Sequence, residues 1–212
     1  MGNRAVITAS KALDVSGSSD IGVYLHWNGG RDSVEAFLKY CELKGYRSPD
    51  KDNYGWARLC QVIGNFFGGG TSIGIDKCYN LDCDNYDNGV YLIEGWEIVG
   101  RRYFEGAEQR EYDLKGMLVE IDSSMPESER LGDFLTAEEI PVEDVKVGDV
   151  VFFYDEIYNK YEKHKVLGIG TKSIGSWIET IGVPYVGKYG MNGDYEDNCN
   201  NYIKGKTIRI CR

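Results

Sequence analysis

Two rhythms of apolar and polar residues divide this chain. Up to residue 124 short apolar runs alternate with stretches of helical spacing, and beyond it the helical spacing disappears. Residues 21–44 set the first pattern. The run Gly22-Val-Tyr-Leu predicts a strand, Asn28-Gly-Gly-Arg-Asp-Ser predicts a tight turn, and Val34, Phe37, Leu38 and Cys41 predict a helix over 33–44. Asp32 or Ser33 is its expected cap and Gly45 its stop. A second helix is predicted over 54–67, where Trp56, Leu59, Cys60, Ile63 and Phe67 form one stripe behind a cap at Asp52 or Asn53, ending at Gly68-Gly69-Gly70. A short strand over 71–75, a polar loop over 76–89, and two paired strands, 90–94 and 96–104, follow, with a bend at Glu94-Gly95. Leu114, Leu118 and Ile121 then mark a third helix over 112–124. Gly-Val-Tyr-Leu occurs at 22–25 and again at 89–92, which is too short for a repeat but predicts two strands in equivalent central positions.

After the polar stretch 123–130 the pattern becomes short strands with glycine turns, at 146–153, 164–169, 177–181 and 207–211, with a polar turn around Asn159. The expected fold class is α+β. A mixed α/β domain over 1–127 sets two or three helices against a sheet, and a small, mostly-β domain over 128–212 forms an SH3-like β-barrel or a curled sheet. The phrase Ile140-Pro-Val-Glu-Asp-Val-Lys-Val-Gly-Asp-Val-Val resembles the entry to the first strand of such barrels. Four tryptophans and 16 tyrosines exceed what a core of this size requires, and the tyrosines of 154–161 are the expected exposed group.

Charge narrows the partners. A formal charge of −10 argues against direct binding to nucleic acid, which needs basic patches, and suits a basic protein surface. No apolar run reaches the ~18 to 20 residues of a membrane span, and the N-terminus lacks the basic-then-apolar layout of a secretion signal. Met1-Gly2 is followed by Val6 where a myristoylation signal has Ser or Thr. The expected place is therefore the cytoplasm, with no membrane partner. Of six cysteines, Cys41 and Cys60 fall on apolar helix faces, and Cys78 with Cys83 has no histidine or second pair to complete a zinc set. Reduced structural thiols, no metal and no cofactor are the expectation.

The candidate ligand site lies in two glycine-bearing turns. His26, Trp27, Asn28, Gly29, Gly30, Arg31, Asp32 and Ser33 lead into the first helix, whose N-terminal amides and partial positive charge suit a phosphate or carboxylate. Arg31 would make forked contacts to a phosphate, and Trp27 or His26 would stack on a base. Gly68, Gly69, Gly70, Thr71 and Ser72 offer further amides, so the two turns are expected to flank one pocket. The same residues also read as a capped connection and a helix stop, since neither a P-loop nor G-x-G-x-x-G spacing is present. The acidic loops 82–89 and 192–201 read as solvated, because the first lacks the ligand register of an EF-hand. No catalytic residue is assigned. His26 and His164 sit in no nucleophile motif, and a Cys41–His26 pair would take its cysteine from a core face.

The runs Gly2-Asn-Arg-Ala-Val-Ile-Thr, His26-Trp-Asn-Gly-Gly-Arg-Asp-Ser, Tyr54-Gly-Trp-Ala-Arg and Gly89-Val-Tyr-Leu resemble uncharacterised accessory proteins of Firmicutes and of their phages or mobile elements. The resemblance covers most of 1–125. It implies an accessory gene, a class that includes inhibitors of host defence. The leading expectation is a non-catalytic binding protein that captures a nucleotide or other phosphorylated small molecule at 28–33 and 68–72 and counters host defence. An acidic, DNA-mimicking inhibitor of a nucleic-acid-binding defence enzyme is the alternative, and an enzyme acting on a nucleotide is the third. A pocket of this kind can also be completed by a second subunit, making a homo-oligomer.

Overall fold

The computed structural model describes residues 2–9, 21–70, 72–155, 160–172, 175–182, 199–202 and 207–211. The chain divides into two compact units, Met1–Arg130 and Leu131–Arg212. The architecture is α+β. No helix among the described residues is long and apolar enough to cross a membrane.

The first unit is a five-stranded mixed sheet with three helices. Its strands are β1 (Ala5–Ala9), β2 (Ile21–Leu25), β3 (Ile73–Lys77), β4 (Val90–Glu94) and β5 (Glu97–Arg102), in the order β3-β2-β1-β4-β5. β1 runs parallel to β4 and antiparallel to β2. The two Gly-Val-Tyr-Leu copies thus flank the central strand, one antiparallel and one parallel. Period-two alternation sorts the sheet into two buried faces. Ala5, Ile7, Val23, Leu25, Tyr91 and Ile93 point one way and are fully buried, while Val6 and Val90 join Cys78 in a small cluster on the other.

The helices are α1 (Arg31–Leu43), α2 (Asn53–Phe67) and α3 (Leu114–Ser124), with α1 packed against both others. Val34, Phe37, Leu38 and Cys41 of α1 are buried as their spacing requires. Gly45, at φ 67°, lets the Tyr46 amide turn back to Cys41 O and ends the helix. Asp52 caps α2 by accepting from the Tyr54 amide, and Asp113 caps α3 by accepting from Gly116. Phe37, Phe66 and Phe67 meet edge to face or tilted at 5.3 to 6.5 Å between centroids, and Tyr40 donates to Asp122 across α1 and α3 at 2.7 Å.

The second unit holds the single helical turn α4 (Asp133–Thr136) and strands β6 (Glu138–Pro141), β7 (Val150–Asp155), β8 (Lys160–Lys172), β9 (Gly175–Gly182), β10 (Cys199–Tyr202) and β11 (Thr207–Cys211). All pairings in this sheet are antiparallel, in the order β10-β9-β8-β7-β11-β6. Among the described residues no pairing joins the edge strands β6 and β10, so of the expected SH3-like barrel or curled sheet they show an open antiparallel sheet and no closed barrel. A register shift between Val166 and Gly168 interrupts the long β8–β9 hairpin. The core is Ile140, Val145, Val151, Val166, Ile208 and Ile210. Tyr161, expected among the exposed tyrosines, stacks on Phe134 at 3.6 Å and lies 5.0 Å from Tyr154. Residues 156–159 of that segment, with the turn at Asn159, and 192–198 of the second acidic loop lie outside the described residues.

Candidate binding face

The turn into α1 is built from close backbone approaches. Gly29 lies so near the N-terminal segment that an added Cβ would sit 2.6 Å from Asn3 O and 2.7 Å from Arg4 C. Its amide donates to Asn3 O at 2.8 Å, and Tyr91 Oη donates to Gly29 O at 3.0 Å. Gly30, rather than Asp32 or Ser33, is the N-cap of α1. Asp32, buried in the first turn, takes one amide of its own helix and two from the connection before α3. It accepts from Ser33 N at 2.7 Å, from Tyr112 N at 2.7 Å and from Glu111 N. The Arg31 amide donates to Gln109 O at 3.1 Å. A carboxylate and a carbonyl of the protein thus occupy the positions a bound anion would use at this helix end.

Arg31 is similarly engaged. Nε donates to Glu35 at 2.6 Å and Nη1 to Glu108 at 3.3 Å, and the bond to Glu35 is the main cause of its raised pKa. Arg110 also reaches Glu35, and Arg101 reaches Glu108 at 2.8 Å while lying over Tyr91 and Phe104. Of the other predicted residues, Trp27 is 43% exposed and meets the half-buried His26 edge to face at 4.8 Å. Asn28, at φ 53°, places its Nδ2 3.4 Å from the buried Ser33 Oγ. The two turns adjoin where His26 N donates to Ser72 O at 3.1 Å, just beyond the Leu25–Ile73 pair. Gly68, Gly69 and Gly70 form an exposed 3₁₀ turn with nothing within 4 Å of an added Cβ, and Thr71 lies outside the described residues.

The same end of the sheet carries residues that sequence reasoning missed. Asn85 is buried inside the loop 82–89, donating to Asp82 O and Gly89 O and accepting from the Asp87 and Gly89 amides. Asp87 takes Arg4 Nε at 2.7 Å, fixing the loop to the start of β1. Gly89, at φ 61°, sits against the Arg102 and Tyr103 carbonyls where a side chain would clash. With its inner side held, the loop turns Asp82, Asp84 and Tyr86 outward. Tyr86 is 88% exposed and Tyr103 is 58% exposed. Asn28 (φ 53°), Tyr86 (φ 57°) and Tyr103 (φ 52°) are the positive-φ non-glycine residues among the described ones, and all three lie at this end. Asn28 is at home in that conformation, whereas a tyrosine there is unfavourable by about 1–2 kcal/mol.

Elsewhere, an open groove of about 460 Å³ runs between the α1–α2 connection and the β4–β5 turn. Charges of both signs line it, and its Trp96 is tied to Tyr46 O at 2.9 Å. Cys41 is fully buried and burial raises its thiol pKa. His26 bonds Tyr24 Oη, and His164 packs against Phe153 in the other unit. Among the described residues, no group of three or more His, Cys, Asp or Glu is placed to hold a metal ion. Comparison of the chain with protein-family models, curated proteins and solved structures finds no match.

Proposed function

We propose that this chain is a non-catalytic binding protein and that the end of its N-terminal sheet, with Trp27, Asp84, Tyr86 and Tyr103 exposed, takes a basic protein surface. The observation that carries this reading is Tyr86, a large aromatic side chain that gains no burial and stands on an unfavourable left-handed backbone. Tyrosines of this kind give contact area at low entropic cost, and Asp82 and Asp84 beside it supply the charge that attracts lysine and arginine. The net charge of −10 and the resemblance to accessory proteins of phages and mobile elements fit an inhibitor that covers the nucleic-acid site of a defence enzyme. Capture of a nucleotide at 28–33 is the competing reading. It requires Arg31 to leave Glu35 and Glu108, and a phosphate to replace Asp32 at the helix end.

Two measurements separate them. The immobilised full chain is expected to retain a basic, nucleic-acid-binding host protein, to lose it with rising salt and with Asp84→Lys plus Tyr86→Ala, and to keep it with Arg31→Ala. A nucleotide thermal-shift screen is expected to be flat. A nucleotide that stabilises by the ~2.7 kcal/mol of saturating ligand, several degrees in Tm, and loses that effect in Arg31→Ala would instead establish capture.

A further inference from the structure

The loop 82–89 is entered through a pair of cysteines. Cys78 opens a 3₁₀ turn, Cys78–Asn80, directly after β3, and Cys83 follows it. Leu81 N donates to Cys78 O at 3.1 Å and Cys83 N to Leu81 O at 2.9 Å, so the chain folds back on itself. The two sulfurs come to 3.8 Å, and Cys83 Sγ also donates to Cys78 O at 3.3 Å. Both residues belong to the small cluster with Val6 and Val90 beneath the sheet. Cys78 is 2% exposed, while Cys83 is half-buried and can be reached from solvent.

We propose that Cys78 and Cys83 form a reversible dithiol–disulfide site whose oxidant is a small-molecule disulfide. The sulfurs are in contact, and closing them to the ~2.05 Å of an S–S bond takes a shift of under about 2 Å within a turn that is already formed. In the first step Cys83 loses its proton and its Sγ attacks one sulfur of the small disulfide. That S–S bond breaks, one small thiolate leaves and takes up a proton, and Cys83 carries a mixed disulfide. Cys78 then loses its proton and attacks Cys83 Sγ, forming the internal bond and expelling the second small thiol. The protein's two thiols are oxidised and the small disulfide is reduced to two thiols. The hydrogen bond to Cys78, with burial, raises the Cys83 thiol above its ordinary value, so the first step is slow at neutral pH and accelerates in alkali. The internal bond would pin the entry to the loop that presents Asp84 and Tyr86.

The test uses the full chain incubated with oxidised glutathione across a pH series, with free thiols then alkylated in denaturant and mapped by mass spectrometry. The expected product is a Cys78–Cys83 link, lighter by two hydrogens, formed faster as pH rises and reversed by dithiothreitol. Cys41, Cys60, Cys199 and Cys211 should stay alkylatable. Cys78→Ala should stop at a stable glutathione adduct on Cys83, because the resolving thiol is gone. Wild-type chain that accumulates the same stable adduct, or that leaves both cysteines free at every pH, overturns the proposal.

Discussion

The turn 28–33 and the loop 82–89 lie at one end of the same sheet and direct their polar groups in opposite senses. In the turn, Arg31, Asp32 and the first helical amides meet Glu35, Glu108, Gln109 and the 111–112 backbone, so its chemistry faces inward. In the loop, Asn85 and Asp87 satisfy the inner backbone while Asp84 and Tyr86 remain exposed. A glycine-rich, arginine-bearing turn before a helix therefore acts here as a joint between the N-terminal segment, α1 and the 105–113 connection. A loop without such a motif offers the open surface. A polar group signals binding when its partners are missing, and residue type alone does not report that.

Removing the centre of the joint tests the contrast most severely. Asp32→Ala leaves one buried and two part-buried amides without their acceptor, and a loss of about 2 to 4 kcal/mol is expected in urea unfolding of the full chain. A loss below 1 kcal/mol would mean that Asp32 faces solvent and is available to a ligand.

The glycines of the two turns give a smaller and more discriminating effect. Gly29→Ala drives a methyl into the Asn3 and Arg4 backbone and should cost about 1 to 3 kcal/mol, whereas Gly69→Ala meets nothing within 4 Å and should stay within about 0.5 kcal/mol. Equal costs at the two positions would erase the distinction between a close-packed joint and a free helix stop.

The period of the apolar residues placed α1, α2 and α3, because those helices bury one face and the spacing records it, while β-forming residues marked the β4–β5 pair. β1 left no such trace. Ala5–Ala9 is nearly all buried and its place at the centre comes from pairing with β2 and β4, the latter more than 80 residues away. The strand β6 and the turn α4 are too short to show a period. Asp32 looked like a cap because local sequence favours that role, while two of the three amides it holds come from residues 79 and 80 positions on. Asn28 is a residue type that adopts positive φ readily, but nothing in the sequence marks Tyr86 or Tyr103 for it. At Tyr86 it accompanies the turn that Asn85 closes by accepting from the Asp87 and Gly89 amides.

Tyr86 gives the smallest expected effect on stability and the clearest separation of fold from function. Glycine at this position removes the left-handed penalty and forfeits almost no burial, since the ring is 88% exposed. Part of that gain is offset by the greater freedom of glycine in the unfolded chain. Tyr86→Gly is therefore expected to raise the unfolding free energy by about 0.5 to 1 kcal/mol while weakening attachment to a basic partner. A substitution that stabilises the protein and impairs its binding marks a residue kept for recognition. If Tyr86→Gly destabilises instead, the ring is serving the fold, and the exposed end of the sheet loses its strongest claim to be the binding face.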